Sequence, residues 1–412
     1  MRTLTLEIER SVYGDTSIAR FNGKVVMIRG TLLPGEVVDV DVEAEKRDYL
    51  IASLREIREP SPLRIAAGCM YFGSCGGCQW QHIPYDRQVI LKEEQLMDCL
   101  KRQAGLECTL SDSIINDIPW NYRVRGQFKV SPEAAGFFRE HSRKIVDIDQ
   151  CPLMTDRVNS AFSSARKLLK GSYVKELHVT CGDSPLALLK TPPDVYPRSD
   201  LRRIASLFMD NGFGGIMIER ENKKVLSYGK SYITLDLDNL KYTLSPKSFL
   251  QSNWELNQSA IRCVKSGLQF MKGKKVLDLY AGAGNFSLLL GAEYDVTAIE
   301  ENPFSIEDGI RNAEINSVQN CTFIHSSAER FRSEERFDII ILDPPRPGLT
   351  KKAMQNVLSM EPEKIIYISC NPSTLARDLK ALLRKYDVEY IRTVDFFPQT
   401  YHIESLVSMN LR

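Results

Sequence analysis

Cys370 is the side chain in this sequence best placed for nucleophilic chemistry. It lies in the run SCNPSTL at residues 369–375, directly after the apolar run KIIYI at 364–368. Short apolar runs are typical of buried parallel strands, and an Asn-Pro-Ser cluster favours a helix start. The sequence therefore predicts Cys370 at the carboxyl edge of a sheet, where ligands bind, beside a helix N-terminus, where thiols ionise readily. The alternative is a structural cysteine packed as a small apolar residue, the commoner state of a lone cysteine.

A glycine-rich turn within residues 276–286, VLDLYAGAGNF, predicts a site for a nucleotide-like cofactor. Its small residues allow a ligand to approach the backbone closely. Glu300 ends the next apolar run, where a carboxylate can accept both hydroxyls of a ribose. The turn lacks the full G-x-G-x-x-G spacing of dinucleotide sites, and D-x-Y-x-G-x-G from Asp278 looks like the first motif of methyltransferases. S-adenosylmethionine is therefore favoured, and a dehydrogenase is the alternative.

Two further carboxylates lie at the ends of predicted strands near the C-terminus, one after a strand and one at the start of a strand. Asp343 lies in ILDPPRPG at 341–348, where two prolines restrict the backbone around it. Glu404 opens an apolar strand within residues 396–407. Both are predicted at the same sheet edge as Cys370. His402 is an alternative base, and the prolines after Asp343 could instead only stop a strand.

Cysteines are concentrated near residue 70. Cys69, Cys75 and Cys78 form the pattern C-x5-C-G-G-C, and Cys151 follows in DIDQCPLM. Four sulfur ligands suit either zinc or an iron–sulfur cluster, and the spacing does not choose between them.

The composition is that of a soluble globular protein, with 412 residues, 43% hydrophobic and 26% charged, and a net charge of +1. The sequence contains no apolar run long enough to span a bilayer and no signal-peptide pattern at its N-terminus. We therefore expect a cytoplasmic, monomeric protein without a membrane partner, whose cysteines do not form a disulfide framework.

A basic stretch between residues 122 and 145 has two interpretations. Cations for phosphates and rings for bases suit an RNA surface, but the pattern equally fits a sheet with one solvated face. The residues concerned are Arg123, Arg125, Phe128, Lys129, Phe137, Phe138, Arg139, Arg143 and Lys144.

The periodicity predicts three domains. Residues 1–58 read as closely spaced strands of a small β-barrel of the oligonucleotide-binding type. Residues 59–240 hold the cysteine segment, a helix near 86–104 and mixed α+β structure. Residues 241–412 alternate strands with helices, which predicts a doubly wound, Rossmann-like parallel sheet. The last two strands, near 389–396 and 404–411, are expected to form an antiparallel pair at its edge.

Four motifs together resemble the RNA uracil-C5 methyltransferases, which make 5-methyluridine in ribosomal or transfer RNA: LDLYAGAGNFSLLL, ILDPPRPGL, YISCNPSTLARDL and FFPQTYHIESLVSM. The run GDTSIARFNGKVVMIRGTLLPG at 14–35 resembles the TRAM domain found on many RNA-modifying enzymes. One departure is Tyr280-Ala281, where many relatives carry Phe-Cys.

The resemblance implies a role for each candidate residue. Cys370 would add to C6 of uracil, which makes C5 nucleophilic towards a methyl sulfonium, and Glu404 would then remove the C5 proton. Asp343 would hydrogen-bond the target base. The family positions that bind S-adenosylmethionine map to Gln251, Tyr280, Asn285, Glu300, Ser327 and Asp343.

The resemblance also favours a structural [4Fe–4S] cluster on Cys69, Cys75, Cys78 and Cys151, over zinc or no metal. The expected substrate is 23S rRNA, and a transfer RNA loop is the alternative. Two other classes fit fewer motifs. A non-catalytic RNA-binding or ribosome-assembly protein would leave Cys370, Glu404 and Asp343 unexplained, and an iron–sulfur redox protein would leave the cofactor turn unused.

Overall fold

A computed structural model describes residues 2–193, 196–220, 225–271 and 273–412. In these ranges the chain forms a six-stranded sheet, two seven-stranded sheets and a two-stranded hairpin. No helix in the described ranges is long and apolar enough to cross a membrane.

The N-terminal sheet curves around one apolar cluster, in the order β1-β5-β6-β4-β3-β2. Inward residues alternate with exposed ones, as in β1, where Leu4 and Leu6 are buried between exposed neighbours. Its strands are β1 (Thr3–Glu7), β2 (Arg10–Val12), β3 (Thr16–Phe21), β4 (Lys24–Arg29), β5 (Val37–Glu45) and β6 (Tyr49–Glu59).

Helix α1 (Tyr85–Cys99) follows the cysteine segment and continues into a π-helical turn at Leu100–Ala104. This confirms the helix predicted near 86–104. Leu96 and Leu100 are fully buried in the apolar cluster of the C-terminal unit, so α1 packs there and not on the central sheet.

The central sheet has the order β13-β12-β11-β10-β7-β8-β9, and all its pairs are antiparallel except β11 with β12. Helices α2 (Asp156–Leu169) and α3 (Arg198–Asp210) contact it. The strands are β7 (Arg125–Val130), β8 (Ala135–Phe138), β9 (Ile145–Asp147), β10 (Glu176–Cys181), β11 (Pro185–Thr191), β12 (Gly215–Arg220) and β13 (Leu226–Gly229).

A hairpin of β14 (Ile233–Leu237) and β15 (Leu240–Leu244) leads into the C-terminal unit. Tyr242 and Leu244 of β15 belong to that unit's apolar cluster. The hairpin therefore packs with the C-terminal unit. The domain limits at residues 58 and 240 stay predictions.

The C-terminal sheet has the order β18-β17-β16-β19-β20-β22-β21. Its first five strands are parallel, whereas β22 runs antiparallel to both of its neighbours. This confirms the doubly wound sheet and the antiparallel pair at its edge. The strands are β16 (Lys275–Leu279), β17 (Asp295–Glu300), β18 (Cys321–His325), β19 (Ile339–Leu342), β20 (Lys364–Ser369), β21 (Tyr386–Val394) and β22 (Glu404–Leu411).

Five helices accompany this sheet. The strands β19 and β20 are buried along their whole lengths, as is typical of parallel strands inside a doubly wound sheet. The helices are α4 (Trp254–Gly267), α5 (Ser287–Leu290), α6 (Pro303–Ile315), α7 (Lys351–Met360) and α8 (Pro372–Leu382), with a 3-10 turn at Gln269–Met271.

Candidate active site

Cys370 lies between the end of β20 and the start of α8, as predicted. Asn371 caps the helix, because its side-chain oxygen accepts from the amides of Ser373 at 3.0 Å and Thr374 at 3.5 Å. Its amide group also donates to the carbonyl of Arg346, which ties the β19 loop to the same place. The thiol is therefore held at the carboxyl edge of the sheet.

Strand register brings Glu404 next to Cys370. Ser369 pairs with Ser405 where β20 and β22 run antiparallel. Cys370 directly follows Ser369, and Glu404 directly precedes Ser405. The two residues therefore lie next to each other at this end of the strand pair. On its other side Glu404 pairs with Val394 of β21, so its backbone is held between two strands.

One cavity of about 560 Å³ lies over this edge of the sheet and collects almost all of the predicted site residues. Seven of the eight catalytic and cofactor candidates line it: Gln251, Tyr280, Glu300, Ser327, Asp343, Cys370 and Glu404. Asn285 lines a smaller adjoining cavity together with Gln251, Tyr280 and Asp343. The candidates therefore form one continuous site.

The glycine turn after β16 has an unusual backbone. Tyr280 has a φ of +68°, and Gly282 and Gly284 also have positive φ values. A side chain on Gly284 would collide with Phe323 at 2.8 Å, so this glycine permits close packing. The positive φ of Tyr280 is uncommon for a residue with a side chain, which is consistent with strain at a functional turn.

Glu300 holds this turn against the end of β17. Its carboxylate accepts from the backbone amides of Gly282 at 2.9 Å, Glu301 at 2.9 Å and Asn302 at 2.7 Å. Asn285 in turn forms a reciprocal amide pair with Asn257 of α4. The predicted cofactor residues are thus fastened to the scaffold by hydrogen bonds.

Burial concentrates acidic groups in the cavity. Burial, reinforced by neighbouring carboxylates, raises the pKa of Asp343 to about 7. Burial and the charge of Asp343 raise the pKa of Glu404 to about 8, against the opposing effect of Arg346. Burial and both carboxylates likewise raise the pKa of the Cys370 thiol to about 12. This direction is opposite to the ready ionisation expected at a helix N-terminus, because burial disfavours the charged form of the thiol.

The cavity also contains residues that the sequence interpretation did not assign. Arg346 lines the cavity together with Cys370 and Glu404 and has a guanidinium nitrogen 3.4 Å from Nε2 of His402. Burial and Arg346 lower the pKa of His402 to about 4, which disfavours its charged form. Phe249 and Phe397 line the wall, and Phe249 is 64% exposed although it is large and apolar. Arg346, Phe397 and His402 lie inside the quoted motifs, whereas Phe249 lies two residues before the cofactor candidate Gln251.

Comparisons with known proteins agree with this geometry. A family model described as tRNA (Uracil-5-)-methyltransferase matches residues 84–412, and a TRAM domain model matches residues 1–54. The chain belongs to the RNA uracil-C5 methyltransferase family. It is therefore an S-adenosylmethionine-dependent RNA methyltransferase, and the dehydrogenase alternative is wrong.

Relatives match the chain along its whole length. An uncharacterised RNA methyltransferase of Aquifex aeolicus is 34% identical over 427 residues, which cover 100% of this chain and 99% of the relative. The 23S rRNA (uracil(1939)-C(5))-methyltransferase RlmD of Shewanella amazonensis is 31% identical over 426 residues, covering 99% and 96%.

A solved structure matches as fully. The tRNA (uracil-54, C5)-methyltransferase of Pyrococcus abyssi, in complex with S-adenosyl-L-homocysteine, superposes with a TM-score of 0.77. It is 27% identical, and the match covers 98% of this chain and 99% of that one.

The cysteine segment borders a second cavity in this methyltransferase, of about 330 Å³. Cys69, Cys75, Cys78 and Cys151 all line it. Burial raises the pKa of Cys78 to about 12, and the other three thiols add to that rise. Within the described ranges, no three His, Cys, Asp or Glu side chains are arranged to hold a metal ion.

The basic stretch is divided between core and surface. Phe128 is fully buried, and Arg125 is buried with hydrogen bonds to Thr180 and to the carbonyls of Pro246 and Ser248. These two residues are structural, so the RNA-surface interpretation is wrong for them. The exposed members lie at the β8–β9 turn: Phe138, Arg139, Arg143 and Lys144.

The acidic cavity predicts a charge-dependent preference between cofactor and product. S-adenosylmethionine has a sulfonium cation where S-adenosylhomocysteine has a neutral sulfur. As pH rises from about 6 to about 9, Asp343 and Glu404 lose their protons, so the sulfonium should gain attraction that the neutral sulfur does not. The ratio of the two dissociation constants, measured by calorimetry, should shift towards S-adenosylmethionine.

The control is a variant with Asp343→Asn and Glu404→Gln, in which this pH dependence should be largely lost. A ratio in the unmodified protein that stays constant over the same pH range would contradict the electrostatic assignment.

Proposed function

We propose that this protein methylates C5 of a uridine in 23S rRNA, with Cys370 as nucleophile and Glu404 as base. The observation that carries the proposal is the β20–β22 register, which pairs Ser369 with Ser405 and so puts Cys370 beside Glu404. The two side chains line one cavity with the cofactor candidates. A thiol and a carboxylate adjacent to a methyl-donor site suit C5 methylation better than methylation of a nitrogen or oxygen.

The first step requires the Cys370 sulfur as a thiolate. It adds to C6 of the target uracil, and the electron density that reaches C5 allows that carbon to take the methyl group from the sulfonium. The charge of Arg346 lowers the pKa of both Cys370 and Glu404, against the effect of burial. It therefore favours the anionic thiol. Asp343, at the end of β19, hydrogen-bonds the target base.

The second step requires a base. Glu404 takes the proton from C5, the double bond re-forms, and the thiolate leaves C6. With a pKa of about 8, Glu404 binds a proton more readily than an ordinary carboxylate. The target uridine has to leave its base stack to reach the thiol, because the cavity lies below the protein surface.

Two substitutions test these roles. Cys370→Ala should abolish methyl transfer from labelled S-adenosylmethionine to RNA, because no adduct can form. Glu404→Gln should allow methylation but block proton removal, so that a covalent enzyme–RNA complex accumulates and migrates slowly on a denaturing gel.

Cys263→Ser is the matched control, since this cysteine lies on α4 outside the cavity, and it should keep full methyl transfer. Full activity in Cys370→Ala would refute the nucleophile, and the absence of the slow band in Glu404→Gln would refute the base.

The choice of RNA substrate is proposed from the substrates of two similar proteins. The relative from Shewanella amazonensis acts on 23S rRNA, and both it and this chain match over nearly their whole lengths. The Pyrococcus abyssi structure is of an enzyme that acts on tRNA, so a tRNA uridine is the second candidate.

A competition assay should distinguish the two substrates. Equal amounts of a 23S rRNA transcript and a tRNA pool are incubated with the protein and labelled S-adenosylmethionine, and 5-methyluridine is mapped in each. We expect at least about tenfold more product in the rRNA, since about 1.4 kcal/mol of differential binding is enough for that ratio. Greater labelling of tRNA would favour the second candidate.

The four cysteines of the second cavity are proposed to hold a [4Fe–4S] cluster. Their thiols surround one cavity and interact electrostatically, which fits a group that takes one thiolate at each of its iron atoms. A single ion would need the ligands to converge on one point. Because methyl transfer moves no electrons to or from the protein, the role of the cluster is structural.

Metal analysis tests this assignment. Protein purified without oxygen should be brown and contain about four iron atoms per chain. Cys75→Ser should lower the iron content and the thermal stability, whereas Cys263→Ser, at a cysteine on α4 away from the cavity, should change neither. A colourless protein that contains zinc would contradict the cluster.

A further inference from the structure

The loop at residues 395–403 joins β21 to β22 and ends directly before Glu404. Phe397 and His402 of this loop line the active-site cavity. The loop contains a hydrogen bond of its own from the Thr400 hydroxyl to the Phe397 carbonyl at 2.8 Å. Most of its other polar contacts come from a distant part of the chain.

Gln88 of α1 makes two hydrogen bonds to this loop, both at Gln399. Its side-chain oxygen accepts from the Gln399 amide at 2.8 Å, and its side-chain nitrogen donates to the Gln399 side chain at 2.9 Å. The same nitrogen donates to the carbonyls of Trp80 and Ile83. Gln88 is completely buried, so these polar groups have no water to replace a lost partner.

The segment before α1 holds the same point of the loop. The amides of Gln79 and Trp80 both donate to the Gln399 carbonyl, at 3.1 and 3.0 Å. Gln399 has a φ of +70°, a conformation that a residue with a side chain adopts only when its surroundings impose it. Gln79 directly follows Cys78, so the cysteine segment is continuous with this contact.

Two more contacts hold the rest of the loop. Lys92, one turn further along α1, donates to Asp395 at 2.6 Å and to the Phe397 carbonyl at 3.0 Å. The Tyr122 hydroxyl donates to the Pro398 carbonyl at 3.2 Å. Contacts from residues 79–122 therefore reach four residues of the loop, which are Asp395, Phe397, Pro398 and Gln399.

We propose that Gln88 is a positioning residue for the methyl-transfer reaction. It orients the 395–403 loop so that Phe397 and His402 form the wall of the cavity over Cys370 and Glu404. This inference rests on the proposed function, because that function places the target base in this cavity. It gives the cysteine segment and α1 a specific task, which is to shape the base-binding wall from outside the sheet.

In the part of the chain that the structure describes, the side-chain hydrogen bonds of Gln88 go to Trp80, Ile83 and Gln399, and none goes to the cofactor candidates on the glycine turn or β17. A change at Gln88 should therefore affect the reaction of RNA and leave cofactor binding intact. A general loss of structure would instead reduce both.

The test uses the full-length protein with Gln88→Met, which keeps the volume of the side chain and removes its hydrogen bonds. We expect kcat to fall at least tenfold, with an unchanged dissociation constant for S-adenosylhomocysteine. Ile90→Ala, at an exposed position of the same helix, is the matched control and should keep full activity.

Two milder variants keep the inference testable if Gln88→Met folds poorly. Gln399→Gly removes only the side-chain bond and suits the positive φ, so it should keep most of the activity. Tyr122→Phe removes one donor to the loop and should lower kcat about threefold.

Unchanged kcat in both Gln88→Met and Tyr122→Phe would overturn the inference, as would an equal loss of kcat and of S-adenosylhomocysteine affinity. Failure of the proposed function would look different. In that case Cys370→Ala would stay active or Glu404→Gln would give no adduct, whatever the Gln88 variant does.

Discussion

The antiparallel insertion of β22 between β20 and β21 is the constraint on which the site depends. In a wholly parallel sheet, the functional groups at one edge all come from the carboxyl ends of the strands. Here the last strand runs in the opposite direction, so its first residue, Glu404, lies beside Cys370, which directly follows the end of β20. Backbone hydrogen bonds on both sides of β22 hold the carboxylate, and a shift of one residue would turn its side chain to the other face.

This arrangement has an electrostatic consequence. Asp343 and Cys370 directly follow β19 and β20, and Glu404 begins the adjacent strand β22. Burial makes each of the three groups harder to ionise than in water. Their mutual repulsion is reduced when a cation is near, and Arg346 is the cation that the protein itself supplies. A methyl donor with a positive sulfur suits the same field, because its charge also offsets that of the buried carboxylates.

The outer regions complete the site by holding loops. Helix α1 was predicted from its periodicity, but the sequence did not show that its buried Gln88 and Lys92 face a loop some three hundred residues later. Gln88 is as buried as an apolar core residue of α1, and the helical periodicity does not tell which partner its side chain meets. The basic stretch shows the opposite error, because Arg125 and Phe128 looked available for RNA and lie in the interior.

The sequence by itself determined the order of strands and helices in the C-terminal unit, the family motifs and eight candidate site residues, seven of which meet in the main cavity. These follow from local periodicity and from residue types that one kind of chemistry requires. Only the tertiary structure decided the register that joins Cys370 to Glu404, the raised pKa of that thiol and the contacts that hold the 395–403 loop. Each depends on burial and on partners far apart in the chain, and a local pattern contains no information about either.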